Sequence, residues 1–114
     1  MAREIKITDT GFHLRTDNGW VLSVQIGPRT YSDNYDLMVR LPGTVLPPLP
    51  GSTTAEIAAW HRGGGLVEWE DGDTIAGYVP CEQVFEVIGA LAGLPDDEKA
   101  GGDILRSIVV GGAE

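Results

Sequence analysis

Two histidines, one cysteine and a few clustered carboxylates are the residues of this chain whose types could do chemistry. His13 and His61 both fall in stretches that alternate like strands. Neither has a Cys, Glu or second His at metal-ligand spacing, so each is expected to be an exposed or hydrogen-bonded strand residue. Cys81 stands where a helix begins, and a helix N-terminus stabilises a thiolate. Its neighbours Val84 and Phe85 instead favour a small buried hydrophobe. Asp33-Asn34-Tyr35-Asp36 resembles a fragment of an oxygen-ligand cation loop, without the alternating ligands and distal glutamate of an EF-hand. Glu68, Glu70, Asp71 and Asp73 surround a turn and read as a solvated rim. Gly63-Gly64-Gly65 leads into a strand pattern and not a helix, so it does not cradle phosphate. No nucleophile motif or paired acid and base appears, and the expectation is a non-enzymatic protein with no metal and no cofactor.

The loop Arg29–Asp36 is different. Arg29, Tyr31 and Tyr35 are residue types enriched at binding hot spots, and a rigid strand precedes the loop. Asp33, Asn34 and Asp36 are also accounted for by local turn bonds, with the tyrosines capping the core. Arg29, Tyr31, Asp33, Asn34, Tyr35 and Asp36 are therefore the candidate ligand- or partner-binding residues.

The elements that would position them follow from periodicity. Glu4–Ile7 is a short first strand. Phe12–Thr16 sets Phe12 and Leu14 on one face and His13 and Arg15 on the other. Asp17-Asn18-Gly19 is a hairpin turn, because Asn and Gly accept positive φ. Trp20–Ile26 returns with Trp20, Leu22, Val24 and Ile26 toward the core and Val21, Ser23 and Gln25 half-exposed. Gly27-Pro28 ends it. Leu37–Leu41 is a further short strand, and residues 42–52, with four prolines and two glycines, form an extended connector packed down by Val45, Leu46 and Leu49. Thr53–His61 reads as strand despite its alanines, since three glycines follow after about nine residues. Leu66–Glu70 is the return strand and Thr74–Val79 another. Pro80 opens a helix over about 80–92, with Phe85, Ile88 and Leu91 as its buried large side chains. A short C-terminal helix is expected around Asp103–Val110, and residues 111–114 should fray. The fold class is α+β: an antiparallel meander of about five strands with one main helix packed on one face.

With 114 residues the chain suits a single domain, 1–114, able to fold without disulfides or metal; its one cysteine excludes an intramolecular disulfide. The net charge is −9 and unevenly spread, with residues 1–57 near −1 and residues 58–114 near −8. Nucleic-acid affinity rests on Lys and Arg neutralising phosphates, so direct nucleic-acid binding is not expected. The acidity serves solubility or faces a basic partner. No signal-type apolar run follows the N-terminus and Val84–Leu94 is too short to span a bilayer, so no membrane partner is expected and the cytoplasm is the expected compartment.

The order of pieces is similar to one known group. Asp17-Asn18-Gly19-Trp20, Ser23-Val24-Gln25 closed by Gly27-Pro28, the Tyr/Asp/Asn loop, Ala55-Glu56-Ile57-Ala58-Ala59-Trp60 and Pro80-Cys81-Glu82-Gln83-Val84 together resemble small uncharacterised proteins encoded by bacteriophages of actinobacteria. The likeness spans about residues 11–94. In that group a cysteine follows the loop tyrosine where this chain has Ser32, which argues against a thiol function. The resemblance implies a phage accessory protein in the cytoplasm of a bacterial host. The expected action is binding to a host protein, of the host-takeover or anti-defence type. The alternatives are a small-molecule or nucleotide-sequestering module and a homo-oligomeric structural or virion-associated protein.

Overall fold

A computed structural model describes residues 3–26, 52–70 and 72–110. Within them, five strands form one antiparallel sheet in chain order: β1 (Glu4–Ile7), β2 (Gly11–Arg15), β3 (Trp20–Gln25), β4 (Thr54–His61) and β5 (Ala76–Pro80). Two helices follow, α1 (Cys81–Leu91) and α2 (Glu98–Val109). The class is α+β, as the periodicity implies.

Local sequence explains the strands. Gly19 adopts φ 90°, the conformation the Asp17-Asn18-Gly19 turn requires. The register Phe12↔Val24 and Leu14↔Leu22 then puts the apolar residues of β2 and β3 on one side. In β4 burial alternates strictly: Ala55, Ile57, Ala59 and His61 are buried, while Thr54, Glu56, Ala58 and Trp60 are half-buried. That period of two is why an alanine-rich segment is strand and not helix. Val21 pairs with Trp60 and Ser23 with Ala58, so the second set shares a face with the odd-numbered residues of β3.

One apolar cluster joins Trp20, Leu22, Val24, Ile57, Ala59 and Val79 of the sheet to Val84, Val87 and Leu91 of α1 and Leu105 of α2. Fully burying side chains such as Val87 and Leu91 contributes about 1.5–3 kcal/mol each. Both described helices thus lie on the Leu22 side of the sheet. Asp97 caps α2, its carboxylate accepting from the Ala100 N–H at 2.8 Å.

Several expectations are corrected. Leu66–Glu70 is not a strand. It contributes only the isolated bridges Trp60↔Leu66 and Glu70↔Asp73, although Val67 and Trp69 are buried. Pro80 ends β5 and precedes the first helical residue, at ψ 146°. In α1 the buried residues are Val84, Val87 and Leu91; Phe85 is 71% exposed and Ile88 lies at the edge of the cluster. The C-terminal helix begins at Glu98 and not near Asp103, so it is one residue longer than α1. Its Gly101 and Gly102 are buried, and a Cβ on Gly101 would stand 2.3 Å from Trp20 Cζ2. Gly101, which costs helix propensity, sits where the helix meets an indole. Ser23, expected half-exposed, is buried.

Candidate functional site

Arg29, Tyr31, Asp33, Asn34, Tyr35 and Asp36 lie outside the described residues, as do the Leu37–Leu41 strand, all but Ser52 of the 42–52 connector, and residues 111–114. The described residues instead assemble a surface on the side of the sheet away from α1 and α2. Cross-strand register builds it in rows. Glu4 faces Arg15, Arg15 faces Val21 and Val21 faces Trp60. Lys6, His13, Ser23 and Ala58 form the row beside it. His13 meets the Trp60 indole edge-on, with ring centroids 5.4 Å apart and planes at 87°. Edge-to-face geometry of this kind is a favourable one for aromatic rings.

Two hollows meet at Trp60. One, of about 650 Å³, is lined by Arg15, Asp17, Val21, Trp60 and Arg62; the other, of about 240 Å³, by Glu4, Lys6, His13 and again Arg15, Val21 and Trp60. Arg15, Lys6 and Arg62 thus gather three of the chain's eight basic residues around one aromatic ring, in a protein of net charge −9. Arg15 lies 3.8 Å from Glu4, a loose pair between exposed groups that leaves the guanidinium available to a partner.

The edge of this surface is held by a polar brace. Asn18 Nδ2 donates to the carbonyls of Leu91 at 2.9 Å and Leu94 at 3.0 Å, tying the β2–β3 turn to the end of α1. Trp20 Nε1 donates to Pro95 O at 2.8 Å, and its ring lies 5.1 Å from that of His61. His61, 5% exposed, accepts from the Gly63 N–H on Nδ1 at 3.0 Å and bonds Asp96 through Nε2 at 2.7 Å. An Nδ1 that accepts assigns the proton to Nε2, which donates it to Asp96. Arg62 also pairs with Asp96, which ties the β4 turn to the α1–α2 connection. Asp96, shared by His61 and Arg62, holds the two residues together at the end of β4. Cys81 is half-buried, its thiol 3.3 Å from Ser52 O.

Elsewhere on the surface, Asp103 is held below the usual carboxylate range, first by the hydrogen bond from Arg106 and then by the charge of Lys99. Glu68, Glu70 and Asp73 are exposed. Among the described residues no three His, Cys, Asp or Glu side chains are grouped to hold a metal, and no helix is long and apolar enough to cross a membrane.

Sequence reading found half of the Trp60 surface. The alternation in β2 had already put His13 and Arg15 together. What it lacked was the β3–β4 register, a contact between residues about forty apart that brings Trp60 opposite Val21. Comparisons with known protein families, with characterised proteins and with solved structures return no match.

Proposed function

We propose that this chain is a non-catalytic binding protein that engages a partner protein through the sheet face around Trp60. One observation carries the reading: a half-buried tryptophan, fixed by His13, is flanked by Arg15 and Arg62 on the face opposite the described helices. Trp and Arg dominate binding hot spots because they combine large contact area with directional hydrogen bonding. The resemblance to phage proteins supports a host protein as the partner and a phage accessory role in the bacterial cytoplasm. Arg29, Tyr31, Asp33, Asn34, Tyr35 and Asp36, outside the described residues, are kept in the proposal as candidate binding residues.

The test is affinity capture from an actinobacterial lysate, with wild type beside the Arg15→Ala/Arg62→Ala variant. Both arginines are exposed, and exposed ion pairs such as Arg62–Asp96 and Arg15–Glu4 contribute at most about 1 kcal/mol each, so the fold should survive their loss. Recovery of the same partner is expected to fall on the order of 10-fold or more in the variant, as for loss of hot-spot residues. Equal recovery, or capture of nothing but the protein itself, contradicts the proposal.

A second reading is favoured by the 650 Å³ hollow, which is of small-ligand size. A nucleotide could stack on Trp60 with its phosphates toward Arg15 and Arg62. Thermal stabilisation by nucleotides that disappears in the same variant supports this reading. Stabilisation by none of them removes it.

A further inference from the structure

Among the described residues the sheet has two edges, and they are unlike. β5 ends in Pro80, which has no N–H to donate. Tyr78 within it sits at φ 52°, and its register against β4 shifts between Ala55 and Ile57. A bent edge of this kind does not template a regular ladder. β1 is regular: Glu4↔Arg15, Ile5↔Leu14, Lys6↔His13 and Ile7↔Phe12 run without a bulge.

The direction of its backbone groups follows from one bond. Thr8 N–H donates to Gly11 O at 2.9 Å, which makes Thr8 and Gly11 a hydrogen-bonded pair. Antiparallel pairs alternate, so Lys6/His13 and Glu4/Arg15 are hydrogen-bonded as well, and the N–H and C=O of Ile5 and Ile7 point away from β2. The β2–β3 ladder agrees. Ile26 N–H reaches Thr10 O at 2.8 Å and Thr16 N–H reaches Trp20 O at 3.0 Å, which turns Phe12 and Leu14 toward β3 and His13 and Arg15 toward β1. Ile5 and Ile7 are 73% and 84% exposed, with their side chains on the side of the sheet that carries the helices. Glu4 and Lys6 alternate with them on the other side. The outer edge of β1 therefore offers aligned donors and acceptors, two bare isoleucines and one charge of each sign.

A second copy of this strand complements it in one register. A two-fold axis perpendicular to the sheet keeps like faces together, and the residue on the axis then meets itself. With the axis at Lys6 two ammonium groups are opposed, and with the axis at Glu4 two carboxylates. With the axis at Ile5, the two Ile5 residues exchange both backbone hydrogen bonds, and each Glu4 stands opposite the second copy's Lys6. Those charge pairs fall at non-hydrogen-bonded positions, where side chains come closest. The stem of Arg3 then faces the second copy's Ile7. We propose that the chain self-associates through β1 in this register, joining two five-stranded sheets edge to edge with Ile5 on the two-fold axis. The contact is small beside a standard interface, so the dimer forms reversibly with concentration. It does not depend on the Trp60 reading.

Sedimentation velocity tests it. The wild-type mass should climb with concentration from 12.2 kDa toward twice that value. Glu4→Lys and Lys6→Glu each oppose like charges in both pairs and should weaken association on the order of 10-fold or more. An equimolar mixture of the two variants restores both opposite-charge pairs and should associate again, as should the double variant Glu4→Lys/Lys6→Glu. Recovery in the mixture excludes misfolding as the cause of the losses. A wild type that stays at 12.2 kDa up to about 1 mM, or association indifferent to these charge reversals, overturns the proposal.

Discussion

Gly101→Ala and Gly102→Ala place the same methyl one residue apart in α2 and should act with opposite signs. Alanine is favoured over glycine inside a helix by about 0.8–1 kcal/mol, so propensity alone predicts that both stabilise. At Gly102 the new Cβ would lie 3.6 Å from Arg106 Nη1 and 3.9 Å from Val67 Cγ2, ordinary contact distances, so the gain should be realised. At Gly101 it would lie 2.3 Å from Trp20 Cζ2, 2.7 Å from Cε2 and 3.0 Å from Nε1. Either α2 or the indole must retreat by about an ångström, and the indole is held by its bond to Pro95 O. Overpacking of this kind costs about 1–3 kcal/mol, and weakening a buried N–H bond adds about 1 kcal/mol. Set against the propensity gain, Gly101→Ala should lose about 1–3 kcal/mol, or roughly 4–8 °C in Tm per kcal/mol for a chain this size. Urea unfolding followed by tryptophan fluorescence reads both variants. A Gly101→Ala protein as stable as Gly102→Ala would refute the close approach of α2 to Trp20.

Other consequences are as specific. Asn18→Ala removes two bonds to the end of α1, each contributing about 0.5–1.5 kcal/mol, so about 1–3 kcal/mol should be lost in the same urea assay. Phe85→Ser should change stability by less than about 0.5 kcal/mol, whereas Leu91→Ala should lose about 2–5 kcal/mol; equal losses would return Phe85 to the core. Arg106→Ala removes the leading cause of the Asp103 shift, so the Asp103 carboxyl should titrate closer to 3.8 when followed by carboxyl-carbon NMR. Because the folded-state value is depressed, the wild-type contribution is present above pH 3.8 and fades as pH falls through the lowered value; the variant should lack that part of the acid dependence.

Sequence reading succeeded where a pattern is local and self-consistent. Trp20–Gln25 alternates, and the Asp17-Asn18-Gly19 turn before it needs only the φ freedom of glycine. It also succeeded for Thr54–His61, where length and the glycines that follow outweigh the helix propensity of alanine. It failed where two answers are locally equal. Val84, Phe85, Val87 and Ile88 offer two adjacent apolar stripes, and which one is buried depends on how α1 is rotated against the sheet. The start of α2 is masked locally because glycine is a poor helix former, and Gly101 makes sense only with Trp20 packed against it. Leu66–Glu70 has strand-like residues, yet Val67 and Trp69 are buried through isolated bridges and not a ladder. The Trp60 surface fell between these cases: its residues were assigned to strands, and only the β3–β4 register brings them together.

The sheet face at Trp60 is proposed to meet the partner. The chain has three tryptophans, of which Trp20 and Trp69 are buried and Trp60 is half-buried on that face. Labelling them with 5-fluorotryptophan and titrating the captured partner isolates Trp60 in the fluorine NMR spectrum, its resonance assigned by Trp60→Phe. Binding should shift or broaden the Trp60 resonance while those of Trp20 and Trp69 hold. A Trp60 resonance that stays fixed as the partner saturates would contradict the claim.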